Sequence, residues 1–206
     1  ANYVYNGSAS QITGTGFTGA NNLTINNSAG VSLSAGASIA GTLTFTSGVL
    51  SLGANNLTIT NTSVSSISGA GIGNFVQTGS TGELRRAIAG SIASSTTYTF
   101  PTGTSTNYTP ASFTFSATGN AFTLHTRAVA VTHPSMDING TQTDYFANRY
   151  WSTNTSGTPS TYSYTSEFTY ASGDQQGTVG NIRLNKWSGS WSMDNTSSST
   201  STVHTS

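Results

Sequence analysis

The stretch "DINGTQTD" at residues 137–144 holds the best set of ion-binding donors in the chain. Asp137, Asn139 and Asp144, with the backbone carbonyls of a Gly-containing loop, offer the hard oxygens that calcium prefers. The pattern is not an EF-hand loop, which needs further acids and a Glu at the twelfth position. An Asx/Gly turn between strands accounts for the same residues without an ion. No other cofactor is expected.

The remaining titratable residues are sparse. The histidines, at 125, 133 and 204, match neither HxH nor HExxH. His125 alternates with Arg127, which places both on the polar face of a strand, solvated. Six acids exist, Glu83, Asp137, Asp144, Glu167, Asp174 and Asp194, and glycoside hydrolysis would need two of them to converge. Glu167, inside "YSYTSEFTY", reads as an ion-pair partner for Arg149 or Arg127. Serine is abundant, yet no GxSxG is present, and a triad built from distant residues would leave no motif. The chain is read as a non-enzyme.

The elements that must position these residues are strands. Ser and Thr number 71 of 206 residues, a composition for strands and turns. With 9 Tyr, 9 Phe and 3 Trp there is material for a core despite the low charge. Six basic against six acidic residues give no basic cluster, so no nucleic-acid partner is expected. No apolar run reaches the ~18–20 residues of a membrane span. Without cysteine there are no disulfides or thiolate sites, which fits an exported bacterial protein. The chain begins at Ala1 with no Met or signal-like segment, as a processed mature chain would.

Charge divides the sequence. Residues 1–82 hold none, and Glu83 is the first charged side chain, followed by Arg85 and Arg86. In this first part apolar-x-apolar pairs recur: Leu23/Ile25, Val31/Leu33, Leu43/Phe45, Leu50/Leu52 and Leu57/Ile59. Each pair turns both side chains to one face, and Gly, Asn or Ser separate the pairs. Three such short strands with corners make a coil of about 20 residues, the signature of a solenoid. "GANNLTINNS" at 19–28 returns as "GANNLTITNT" at 53–62, and the two are read as stacked rungs. Beyond residue 83, "TYTF", "ASFTFS", "AFTLHTRAVAV" and "YSYTSEFTY" alternate over longer runs, as half-buried antiparallel strands do. Trp151, Trp187 and Trp191 are expected as core or rim anchors. The predicted fold is all-β: a short N-terminal β-solenoid (β-helix) over 1–83, an antiparallel β-sandwich over 84–194, and a Ser/Thr-rich linker or disordered tail over 195–206.

Six phrases, "YNGSASQITGTGF", "NNLTINNSAGVSLSAGASIAGTLTFTSGVLSLGANNLTI", "GELRRAI", "YTFPTGTSTNYTP", "NRYWSTNTSG" and "KWSGSW", cover most of residues 3–191. In that order they resemble a family of large cell-surface and secreted proteins of Bacteroidota-type bacteria, commonly exported by the type IX system. The resemblance implies a β-helix followed by a sandwich, displayed outside the cell in adhesion or matrix roles, and it brings no catalytic residues. Such chains usually end in a sorting domain, and none is visible here. The expectation is either that it was removed after the tail or that the short chain is a self-sufficient unit that assembles.

Three functional readings follow. The first is an extracellular structural protein, a self-assembling fibre subunit or surface adhesin, partnered by copies of itself. Its N-terminal Tyr3, Val4 and Tyr5 form a strand that either caps its own first coil or is donated to a neighbour. The second is a carbohydrate-binding surface module using exposed aromatics on surface glycans. The third is ice binding through an outward Thr face built from Thr42, Thr44, Thr46, Thr58 and Thr60.

Overall fold

The computed structural model describes residues 1–105, 107–136, 145–178, 181–193, 198–199 and 202–204. Half of the chain is strand and 4% helix, and the N-terminal part winds as a β-solenoid of about three turns. The first coil is β1 (Asn2–Tyr5), β2 (Gln11–Ile12) and β3 (Gly19–Ala20). The second is β4 (Asn22–Asn26), β5 (Val31–Ser32) and β6 (Ala37–Ile39). The third is β7 (Leu43–Ser47), β8 (Leu50–Ser51) and β9 (Leu57–Ile59). β10 (Ile67–Ser68), β11 (Val76–Gln77) and β12 (Leu84–Ile88) then add one strand to each of the three sheets.

Register shows why the apolar pairs recur. Tyr3, Leu23 and Leu43 are neighbours along one column, so a coil takes 20 residues. All ten residues of the five apolar pairs are buried. The near-repeat at 19–28 and 53–62 does not stack, contrary to the sequence reading. Leu23 and Ile25 lie in the β1-β4-β7-β10 sheet, whereas Leu57 and Ile59 lie in the sheet that runs through β3, β6, β9 and β12. Its spacing of 34 residues is not a whole number of 20-residue coils, so the second copy lands on another side. The phrase encodes a corner and a strand, and either side of the coil can use it.

Asparagines hold the corners between coils. Asn22 Oδ1 accepts from the Thr42 N–H (2.9 Å) and hydroxyl (3.1 Å), and Asn2 Oδ1 accepts from the Asn22 N–H (3.2 Å). Asn27 is fully buried; its Nδ2 donates to Ala9 O (2.8 Å) and Gln11 Oε1 (2.9 Å). These side chains satisfy polar atoms that the tight turns leave out of the ladders.

The later strands are β13 (Thr96–Phe100), β14 (Thr102–Thr104), β15 (Asn107–Tyr108), β16 (Ala111–Thr118), β17 (Phe122–Val129), β18 (Phe146–Ala147), β19 (Tyr150–Gly157) and β20 (Tyr162–Thr169). β21 (Gln175–Gln176), the hairpin β22 (Asn185–Trp187) and β23 (Trp191–Met193), β24 (Ser198–Ser199) and β25 (Thr202–His204) complete the order. β17 and β19 extend the sheet beyond β12, antiparallel, and the β13-β16-β20-β25-β24 sheet packs across them. Between the two layers, Phe115 meets Phe122 (5.8 Å between ring centres) and Trp151 meets Phe168 (5.0 Å). These edge-on and tilted aromatic contacts form the sandwich core.

The boundary expected at 83/84 is a change of strand direction and not a gap in packing. β12 pairs with β9 in parallel on one edge and with β17 antiparallel on the other, and one apolar cluster runs from Phe17 to Ile182. The tail also differs from expectation: β25 pairs antiparallel with β20, so part of 195–206 belongs to the sandwich sheet.

Candidate functional site

The features most suited to interaction are the two ends of the β1-β4-β7-β10 sheet. At one end β1 has no strand on its outer edge among the described residues. Tyr3 and Val4 are 42% and 59% exposed, and β1 pairs in its own chain with β4. Phe17 packs edge-on against Tyr3 (5.2 Å) and Tyr5 (6.2 Å), partly covering the end of the core. Burial, with Tyr3 alongside, pushes the Tyr5 hydroxyl pKa up. The sequence strand Tyr3–Tyr5 is therefore a cis strand with an open edge in this structure.

At the other end β10 is the last strand of its sheet, although the two neighbouring sheets continue past it into β14–β15 and β17–β19. A groove of about 220 Å³ runs beside it, lined by Ile67, Ser68 and Ala70 on one side, Thr97 and Thr99 of β13 on the other, and Arg86. Arg86 is 1% exposed and donates to the carbonyls of Ser63 (3.1 Å), Val64 (3.1 Å) and Thr99, and to Ser66 Oγ (3.0 Å). Its guanidinium lies over the Tyr98 ring at 5.3 Å. Burial lowers its pKa to about 10, with Tyr98 opposing the shift. A cation held by neutral carbonyls and ring faces pins the 63–66 turn to the sandwich.

A second cluster was invisible to motif reasoning. Glu83 Oε2 takes two bonds from Arg85 (2.8 and 3.1 Å) and lies 3.3 Å from His125 Nδ1, while His125 Nε2 lies 2.8 Å from Ser156 Oγ. His125, expected on a solvated face, is only 6% exposed because these three side chains cover it. Burial lowers its pKa, Arg85 lowers it further, and Glu83 opposes both. The order Ser–His–acid resembles a nucleophilic triad, but the same carboxylate oxygen is already neutralised by Arg85 and the cluster lies on the outer face of its sheet. Its clear physical effect is to cross-link β12, β17 and β19. The alternation of His125 with Arg127 was the only sequence signal for it.

The third cluster is aromatic. His133 packs against Tyr150 (4.9 Å), Trp191 (5.0 Å) and Trp187 (5.8 Å), and the two tryptophans meet at 5.1 Å. Trp191 Nε1 donates to Ser135 O (3.0 Å), and each indole stays about 40% exposed. Trp151 is the core anchor expected of it, and its Nε1 donates to Thr109 O (3.1 Å).

Other sequence candidates are distributed differently. Asp137, Asn139 and Asp144 lie outside the described residues, and among the described residues no three acids or histidines converge as metal ligands. Arg149 pairs with Asp174 (2.6 Å) instead of Glu167, and Arg127 donates to Ser80 O (2.9 Å). The outward threonines divide between two sheets. Thr44 stands in a column with Val4, Thr24 and Ser68, whereas Thr58 neighbours Ser38 and Arg85. No helix among the described residues is long and apolar enough to cross a membrane. Comparison of the chain with protein-family models, with curated proteins and with solved structures finds no match.

Proposed function

We propose that this chain is an extracellular structural protein, a fibre subunit or surface adhesin module that assembles with copies of itself. The observation that carries the reading is the pair of strand edges, β1 and β10, that have no further strand among the described residues at opposite ends of one parallel sheet. Exposed edges of this kind recruit further strands unless they are covered. Two different surfaces meeting head to tail do not close as a twofold dimer does, and where the rotation between copies does not close a ring they build an open polymer. The uncharged coils support the same reading, since stacked copies meet no like-charge repulsion. The cysteine-free composition and the resemblance to surface proteins of Bacteroidota-type bacteria support a place outside the cell.

The test is negative-stain electron microscopy with light scattering on native material. Regular filaments with an axial repeat of one subunit are expected, and a uniform monomer of 21.2 kDa at all concentrations would refute the reading.

A second reading, saccharide binding, is favoured by one observation: the two half-exposed indoles of the β22–β23 hairpin are grouped with Tyr150 of β19 and with His133. Aromatic faces of this kind stack on the C–H faces of sugar rings. Glycan-array binding that is lost in Trp187→Ala and Trp191→Ala, with the fold retained by circular dichroism, would establish it.

A further inference from the structure

We infer that residues 1–8 of one copy swing out and pair, in parallel, with β10 of the next copy, filling the groove between β10 and β13. This deepens the self-assembly reading and rests on it.

The shape of the acceptor argues for a single strand. The sheets on either side of β10 already run on into β14 and β17, so a whole coil laid over β10 would meet strands in place. Only the β10 side is recessed. There the groove is flanked by β13, which ends its own sheet among the described residues and whose Thr99 carbonyl accepts from Arg86. An extended segment fits such a notch, and strand addition supplies the missing ladder partner.

Register argues for this particular strand. The column Tyr3–Leu23–Leu43–Ile67 points into the solenoid, and Val4–Thr24–Thr44–Ser68 points out. A strand added beyond β10 in the same register sets Tyr3 beside Ile67 and Val4 beside Ser68. Tyr3 then enters a groove holding Ile67 and Ala70, where in cis it stays 42% exposed. The exchange gives up the four-residue parallel ladder on β4 and the Phe17 contacts for parallel pairing on Ile67 and Ser68 of β10, with Tyr3 carried from a 42% exposed position into the groove.

The linkage permits the exchange. β1 is the least buried strand of the coils, with three of four residues exposed. "NGS" at 6–8 links β1 to the coil through a single side-chain hydrogen bond, from the Gly7 N–H to Gln11 Oε1 (2.8 Å), and the chain is anchored again at Ala9 by Asn27. With Asn2–Tyr5 in the ladder, residues 6–8 reach at most about 11 Å from the Ala9 anchor, so the acceptor strand of the next copy must lie directly beside the donor's first coil.

Two double variants test the inference on a chain with no cysteine of its own. Val4 and Ser68 sit three strand spacings apart in one sheet, about 14 Å, too far for a disulfide within a molecule. Oxidation of Val4→Cys/Ser68→Cys should therefore yield a thiol-reversible ladder of multimers, while either single variant stops at dimer. Val4 and Thr24 sit on adjacent strands, so oxidised Val4→Cys/Thr24→Cys locks β1 in cis and should block assembly until reduced. Filaments formed by the locked protein, or no ladder from the first pair in a protein that polymerises, overturn the donated strand and leave self-assembly standing. A wild-type chain that never polymerises overturns both.

Discussion

His125 and Arg86 show how a chain with few charges uses them. Both are buried, and both have pKa values lowered chiefly by that burial. The folded protein therefore favours a neutral imidazole at position 125, below the ordinary histidine value of 6.5. As pH falls through that value the unfolded chain binds a proton that the folded one resists. Stability from this group is thus complete above pH 6.5 and is lost on acidification toward the lowered folded value. Urea denaturation at pH 7 and pH 5 should show a larger loss for wild type than for His125→Gln. Equal losses in the two proteins would place the acid sensitivity elsewhere. Beyond the alternation of His125 with Arg127, the local sequence did not announce this site, because Glu83 beside β12, His125 of β17 and Ser156 of β19 are brought together only by the tertiary pairing.

The solenoid strands are short, so its precision lies in the corners. Gly48 and Gly53 both have positive φ, +89° and +57°. A Cβ at Gly48 would run into the Asn27 carbonyl of the coil beneath, while one at Gly53 meets nothing within 4 Å. Gly53→Ala should cost only the left-handed backbone penalty, about 1 kcal/mol. Gly48→Ala adds displacement of a neighbouring coil and should cost about 3 kcal/mol or more. Equilibrium urea unfolding of the two variants makes the comparison, and equal costs would mean the coils shift freely past each other. The apolar pairs were legible because alternation is local and the coil length is nearly constant. Which side of the coil each pair occupies was not, because it depends on the cumulative length of every preceding corner, as the displaced repeat at Leu57 and Ile59 shows.

At the scale of the whole molecule, composition suggested two bodies where packing makes one. The change at residue 83 is real in the sequence: strands lengthen, aromatics multiply and charge begins. Yet the Leu57 N–H donates to Glu83 O (3.0 Å), and the Tyr98 hydroxyl of the sandwich donates to Thr62 O of the coils (2.9 Å). Arg86 adds two carbonyl bonds across the same seam, to Ser63 and Val64. Periodicity cannot register such a seam, because its bonds join residues distant in sequence. Cooperative unfolding then follows, since opening the sandwich exposes the β9 edge and uncovers Leu57 and Ile59. Phe113→Ala, deep in the sandwich against Phe100 and Phe168, should cost about 3–5 kcal/mol. In a single cooperative unit that loss reaches the coils as well. Native-state hydrogen exchange at the Leu50 and Leu57 amides should then accelerate by about 100-fold or more, following the tenfold change per 1.4 kcal/mol. Were those amides to keep wild-type protection while the sandwich amides lost theirs, the coils would hold their stability independently. The bonds at Glu83, Arg86 and Tyr98 would then be contacts between separable domains.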